Sequence, residues 1–375
     1  MSKLEELIQL HCPDGVEWKP LGKACLMERG TSATKGTMQT GEIPVISGGR
    51  QPAFYCNQFN RTGETITIAG SGAGAGYVQY WNEPIFVCDA FSIKGNDGLM
   101  TKYTYYYLTS IQERIYSTKK GGGVPHVHIS SIDKFEIPVP PLPVQEEIVR
   151  ILDTLTELQA ELQAELQKRK QQYEYYRDKL LSFSGLGNWG GQNVSVEWKK
   201  LGEVADLGTG SHNTQDGLVE GKYPFYTRGS EILYFNDYDY DETAIITAGD
   251  GAGVGKVFHF VQGKYALHQR AYRIVPNENI MLARFVYYYI GATFYNYIMK
   301  SSVSSSVVSI RKPMMVNYPI PVPSLSEQQR IVNILDRFDA LTTDITTGLP
   351  AEIEARRKQY EYYRDKLLTF NRKNV

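Results

Sequence analysis

Ile137-Pro138-Val139-Pro140-Pro141-Leu142-Pro143-Val144-Gln145-Glu146-Glu147-Ile148-Val149-Arg150-Ile151-Leu152-Asp153 returns 183 positions later as Ile320-Pro321-Val322-Pro323-Ser324-Leu325-Ser326-Glu327-Gln328-Gln329-Arg330-Ile331-Val332-Asn333-Ile334-Leu335-Asp336. A proline cluster ends whatever precedes it. Pro143 at a first helical turn and Ser324 as a cap can each open a helix after it. Downstream of Pro143, the residues Ile148, Ile151, Leu155, Leu158, Leu162 and Leu166 step by threes and fours, which is the apolar seam of a coiled coil. A helix running to about Ser182 would extend roughly 60 Å at 1.5 Å per residue. The second copy keeps the seam as Ile331, Ile334, Phe338, Leu341 and Ile345. It then meets Gly348-Leu349-Pro350, which should kink or break it.

Working outward, four more blocks recur in the same order. Glu17-Trp18-Lys19-Pro20-Leu21-Gly22 returns as Glu197-Trp198-Lys199-Lys200-Leu201-Gly202, an offset of 180. Ala69 to Gly76 (AGSGAGAG) returns as Ala248 to Gly255 (AGDGAGVG), offset 179. Tyr105-Tyr106-Tyr107 matches Tyr287-Tyr288-Tyr289, offset 182, and QYEYYRDKLL appears at Gln172–Leu181 and Gln359–Leu368, offset 187. Ordered blocks with drifting offsets mean a tandem duplication. The offset grows by four across Gln159–Leu166, where QAEL is written twice. Four helical residues add ~6 Å.

Likeness is high in the helical segments and low between them, so common scaffold alternates with two dissimilar readers. Glu64-Thr65-Ile66-Thr67-Ile68 and Ala244-Ile245-Ile246-Thr247 read as strands, separated by Gly, Asn and Asp turns, while 101–116 and 283–299 read as Tyr-rich helices. The expected class is α+β: two tandem α/β recognition domains, each followed by a long helix, the two helices pairing as an antiparallel coiled coil. The expected boundaries are 1–142, 143–183, 184–323 and 324–375.

Bulk properties fit a globular chain. At 375 residues, 42% hydrophobic and 22% charged, it has material for two or three cores. No apolar run could span a bilayer, and the start MSKLEELIQL is too charged for a secretory signal, so a cytoplasmic location is expected. Cys12, Cys25, Cys56 and Cys88 form no CxxC pair and lack counterparts in the second half, which points to reduced thiols in or near a core. The net charge of −1 means that any DNA-binding face must come from local segregation of charge or from a basic partner.

Together, IPVPPLPVQEEIVRILD and IPVPSLSEQQRIVNILD, the two YEYYRDKLL helix ends and the opening PDGVEWKPLG resemble the specificity subunits of type I restriction-modification systems over nearly the full length. The resemblance implies a DNA-reading, non-catalytic chain. Each variable half would read one part of a bipartite target in double-stranded DNA. The helices would dock two modification (methyltransferase) subunits, with restriction (translocase-nuclease) subunits joining. S-adenosylmethionine, ATP and magnesium would belong to those partners, leaving this chain without a cofactor. The competing reading is a methyltransferase or nuclease in its own right. Against it, there is no Asn-Pro-Pro-Tyr or Asp-Pro-Pro-Tyr segment, and no Ser/His/Asp or Cys/His group recurs in both halves.

The glycine-rich run Gly70–Gly76 is followed by a strand-like Tyr77-Val78-Gln79-Tyr80 and lacks Gly-Lys-Ser/Thr, so it reads as a tight loop and not a nucleotide cradle. Ser71 within it is replaced by Asp250 in the second copy; a carboxylate there could accept from a cytosine amino group. The segment from Lys119 and Lys120 to His126 and His128 is basic and flexible. Its counterpart, from Lys300 through Ser306, ends in Arg311 and Lys312. Arg50, Arg61, Arg228 and Arg270 are candidates for guanine or phosphate contact, with Lys35 and Lys256 beside them; any one of these is equally consistent with an ordinary surface residue. His126 and His128 have no paired equivalent in the second half, so no metal is expected. Tyr173, Tyr176 and Arg177, with Tyr360, Tyr363 and Arg364, are either packing within the coiled coil or anchors for partner subunits.

Overall fold

The computed structural model describes residues 2–121, 123–183, 196–301, 309–344 and 346–373. Ile345 of the expected seam and residues 302–308 of the second basic segment fall outside that set. Two compact units emerge: Met1–Gln163 with Glu352–Val375, and Ala164–Ala351. The dividing line therefore cuts through the helix Leu142–Leu181, a single element of 40 residues, and returns the last stretch of chain to the first unit.

In the first unit an antiparallel sheet runs in the order Cys25–Arg29, Ala90–Gly95, Thr65–Ala69, Val78–Trp81. A smaller sheet orders Phe54–Cys56, Ile43–Ile46, Phe86–Val87. The second unit merges the equivalent strands into one six-stranded sheet, ordered Ala205–Thr209, Ala271–Pro276, Tyr240–Ala248, Phe258–Leu267, Tyr223–Tyr226, Ile232–Phe235. One residue accounts for much of the difference. Phe258–Leu267 aligns without gaps on Val78 to Val87, and Pro84 stands where Lys264 does. Proline has no N–H for the ladder, so the first copy breaks into Val78–Trp81 and Phe86–Val87 where the second is continuous.

Each unit closes with a two-stranded ribbon that brings its first block to its proline block: Glu17–Pro20 against Glu136–Val139, and Glu197–Lys200 against Pro319–Val322. The expected Tyr-rich helices are present as Thr101–Ser110 with Gln112–Tyr116, and as Ala283–Ser301. They bury Tyr103, Tyr106 and Leu108 in one core, and Phe285, Tyr289 and Phe294 in the other.

The long helices grow from these cores. Ile148 and Leu152 are fully buried in the first, as are Ile331 and Leu335 in the second. Ser324 caps its helix by accepting the Glu327 N–H at 3.3 Å. The second helix is broken, Leu325–Thr343 and then Leu349–Leu367. A Cβ on Gly348 would lie 2.6 Å from the Ala340 carbonyl oxygen, so the turn needs glycine there. Asp344 gathers the turn by accepting from the Thr346 N–H at 2.7 Å and from the Thr346 hydroxyl at 2.6 Å.

Cys12, Cys25 and Cys56 are buried free thiols and Cys88 is half-buried. Burial pushes the Cys25 thiol up to about 12 against a small opposing hydrogen bond from Thr104, which makes it an inert core group. Among the described residues no helix is long and apolar enough to cross a membrane.

Candidate nucleic-acid interface

The two glycine-rich loops are held by matching backbone bonds. Gly70 N–H donates to the Asp89 carbonyl at 3.0 Å, and Gly249 N–H to the Arg270 carbonyl at 2.8 Å. Gly70 accepts from Val127 N–H at 3.0 Å, and Gly249 from Ile310 N–H at 2.8 Å. Both loops turn through left-handed glycines, Gly72 (φ 78°) and Gly76 (φ 85°) against Gly251 (φ 81°) and Gly255 (φ 67°); these are conformations open to glycine without strain. A Cβ on Gly74 would sit 2.5 Å from the Gly48 oxygen, and one on Gly253 would sit 2.4 Å from the Arg228 oxygen. Gly48, Ser71 and Asp89 in one unit are thus the structural equivalents of Arg228, Asp250 and Arg270 in the other.

The first loop gathers several expected residues. Ser71 and Lys120 both bridge to His126 through backbone. The rings of His126 and His128 lie parallel, 6.1 Å apart. The Arg50 guanidinium sits over Tyr77 at 5.0 Å, and the Lys119 ammonium over Tyr116 at 4.1 Å. The Ser71 hydroxyl donates to the Asp89 carboxylate. Sequence reasoning missed Arg29, whose guanidinium reaches His128 Nδ1 at 3.4 Å and which lines, with Asp89, Gly70 and His126, a cleft of about 340 Å³. Lys35 is exposed on the loop after Arg29, among neighbours that give it no ion pair in the described residues.

Arg61 departs from expectation. Its guanidinium donates to the Ser92 hydroxyl at 2.8 Å, the Asn60 carbonyl at 2.7 Å and the Arg29 carbonyl at 3.0 Å. Only 15% of the side chain is exposed, and Glu28 pairs with it. It braces strands instead of facing solvent.

Around the second loop, Asp250 lies between Arg228 at 2.8 Å and Arg270 at 2.9 Å. Burial works against ionisation of this carboxyl, but the two arginines, by hydrogen bond and by charge, together outweigh it and hold the group below its usual range. The carboxylate expected to accept from a base thus already accepts one guanidinium N–H on each oxygen. Arg228 and Asp250 border a cleft of about 560 Å³ with Thr214, Thr227 and Ser230. Lys256 is exposed over Tyr295 at 5.3 Å, and Arg311 and Lys312 are exposed at the start of the helix Lys312–Val316.

The helix-end tyrosines sort by face. Tyr173 and Tyr176 lie 6.3 and 5.8 Å from the Phe338 ring, and burial raises the Tyr173 hydroxyl to about 12. In the first unit Tyr360 packs on the core beside Leu155, and burial likewise raises its pKa. Arg177 and Arg364 fold over Tyr173 and Tyr360 and pair with Asp178 and Asp365. Tyr173 and Tyr360 are therefore packing residues and not open anchors. The most exposed aromatics here are Tyr175 (59%) and Tyr362 (61%), with Tyr363 at 38%. Each of the first two carries a lysine one turn on, Lys179 at 5.4 Å and Lys366 at 5.9 Å. Extending the seam from Leu162 and Leu166 by sevens puts Tyr173, Tyr176 and Leu180 inward and Tyr175 outward, so periodicity carried the signal.

Two copies of one scaffold, each presenting a different polar loop, define a two-headed recognition protein. The chain belongs to the family of the type I restriction modification DNA specificity domain, which matches it twice, over residues 13–169 and 193–355. It is 33% identical to the type I restriction enzyme EcoR124I/EcoR124II specificity subunit of Escherichia coli, over 99% of this chain and 97% of that one. In fold it resembles the S subunit of a type I restriction-modification system from M. genitalium, with a TM-score of 0.66, 20% identity and coverage of 94% and 96% of the two chains. A second structure, from work on complex assembly and conformational transition of the type I R-M system, matches at a TM-score of 0.58 with 18% identity, covering 95% and 98%. The family makes this chain a specificity component with two recognition domains, not a catalyst.

Proposed function

We propose that the chain reads a bipartite site in double-stranded DNA, one half with each head, and directs two modification (methyltransferase) subunits and the restriction (translocase-nuclease) subunits to it. In this reading 1–142 and 184–323 are the recognition domains, and 143–183 and 324–375 are the spacer helices, pairing as an antiparallel coiled coil. The helix contacts support that direction. Tyr360 lies near Thr156 in one unit, and Tyr176 and Phe338 are stacked in the other, so partner numbers fall as numbers along Leu142–Leu181 rise. The chemistry resides in the partners, within the cytoplasm, and this chain holds no cofactor of its own.

The observation that carries the proposal is the pair of loops with one backbone and two side-chain sets. Identical ligands would have kept them alike; two different half-sites would not. The test is to express the chain with its modification partner and map methylated positions across a genome. A motif of two unlike halves at fixed separation supports the reading. Methyl transfer from labelled S-adenosylmethionine by the purified chain alone would instead favour the enzyme alternative.

A further inference from the structure

The three equivalent positions differ in charge as well as size. In the first unit they are Gly48, Ser71 and Asp89, with one carboxylate; in the second they are Arg228, Asp250 and Arg270, with two guanidinium groups around one carboxylate. The difference extends into the backbone, because a Cβ on Gly48 would fall 2.2 Å from the Ser71 oxygen, leaving the first head no room for a counterpart of Arg228. In the second head Asp250 is 20% exposed while Arg228 and Arg270 are 41% and 63% exposed. The carboxylate is the inner member and the guanidinium groups are the outer ones.

We propose that this trio is the base-reading centre of each head: Arg228 and Arg270, fixed by Asp250, recognise guanine in the second half-site, while the Ser71–Asp89 pair accepts from an exocyclic amino group in the first. The proposal rests on the reading of both heads as DNA binders. An arginine fork matches O6 and N7 of guanine in the major groove, and a carboxylate matches the amino group of cytosine. Base reading gains from limiting where each guanidinium can go, and a carboxylate accepting one charge-assisted N–H from each tethers the two side by side. Simple phosphate contact needs no such brace, and a carboxylate between two phosphate-binding arginines would oppose it. Among the described residues each arginine gives Asp250 a single Nη1 bond, which leaves the rest of its donors for a ligand.

The test uses the complete complex and genome-wide methylation mapping for the unaltered chain and for Arg228→Ala, Arg270→Ala and Arg270→Lys. The second half-site should contain a guanine whose discrimination falls roughly tenfold to hundredfold in each variant. Arg270→Lys keeps the charge but loses the fork, so it should relax that position too. An unchanged first half-site shows that the altered complex has folded and assembled. The proposal is overturned if the second half-site holds no guanine. It is also overturned if Arg270→Lys retains full discrimination, or if the variants weaken binding evenly and lower the salt dependence by about one charge, which marks a phosphate contact. Absence of any bipartite motif with the unaltered chain would instead sink the DNA reading itself.

Discussion

Gln145 Oε1 accepts the Met100 backbone N–H at 2.8 Å, from a side chain with no solvent exposure. Its amide nitrogen donates to the carbonyls of Gly98 at 2.8 Å and Pro140 at 2.7 Å. Gln328 repeats the arrangement, accepting from Leu282 N–H at 2.7 Å and donating to Ile280 and Pro323, each at 2.9 Å. One glutamine per unit thus ties the start of the long helix, the proline cluster and the Tyr-rich helix together. Asp153 and Asp336 reinforce the joint by accepting the hydroxyls of Tyr106 and Tyr288 beside Lys102 and Arg284.

Removing a partner from buried backbone groups costs about 1–3 kcal/mol per group. Gln145→Leu should therefore lower the stability of the first unit by several kcal/mol, and Gln328→Leu that of the second. Urea unfolding followed by hydrogen exchange at residues 98–110 and 280–290 checks both; equal protection before and after substitution would contradict the clamp.

Glu147 is 3% exposed and pairs with Arg150 at 2.6 Å and Lys3 at 2.8 Å. The Arg150 hydrogen bond, opposed by burial and aided by Lys3, holds its carboxyl at about 2. Because the folded value lies below the ordinary one near 4.5, the stabilisation is present above pH ~4.5 and is lost as pH falls towards ~2. Melting temperature measured between pH 6 and 3 should drop less steeply in Glu147→Gln than in the unaltered chain. Parallel curves would refute the assignment.

Tyr175 and Tyr362 stand out from the helix in matching positions, one in each unit. If they anchor the two modification subunits, the double substitution Tyr175→Ala/Tyr362→Ala should weaken assembly at least tenfold, as expected on losing exposed aromatic anchors. Each single change should cost one partner, seen as a shift in complex mass by analytical ultracentrifugation. Tyr173→Phe should leave assembly intact.

The doubled QAEL of Gln159–Leu166 lies inside the unbroken helix. Deleting Gln163–Leu166 should shorten the preferred gap in the methylated motif by about one to two base pairs, since four residues make ~6 Å. Both half-site sequences should stay as they were; a change in them would defeat the ruler idea.

Much of the scaffold was legible because its reasons are local. Prolines stop strands, Ser324 caps, the seam repeats by sevens, and Gly348 breaks the second helix. The loop side chains were less legible because their roles depend on strands far away in sequence. Nothing near Arg61 announces that Ser92 and the Arg29 carbonyl will claim its guanidinium. Nothing near Asp250 announces that residues 22 positions before and 20 after will both pair with it. Tyr173 was a different case, since the heptad phase that hides it could have been followed to the helix end.

Residues 352–373 lie with the first unit, where Lys373 N–H donates to the Val16 carbonyl at 3.0 Å and Val16 N–H to the Asn371 carbonyl at 2.9 Å. During synthesis, the second head has all its parts before the first does, reversing the usual order in which domains mature from the amino terminus. The earlier-made head must wait on the ribosome for residues 352–373, and a frameshift within their codons would injure the reader built from residues some two hundred positions upstream.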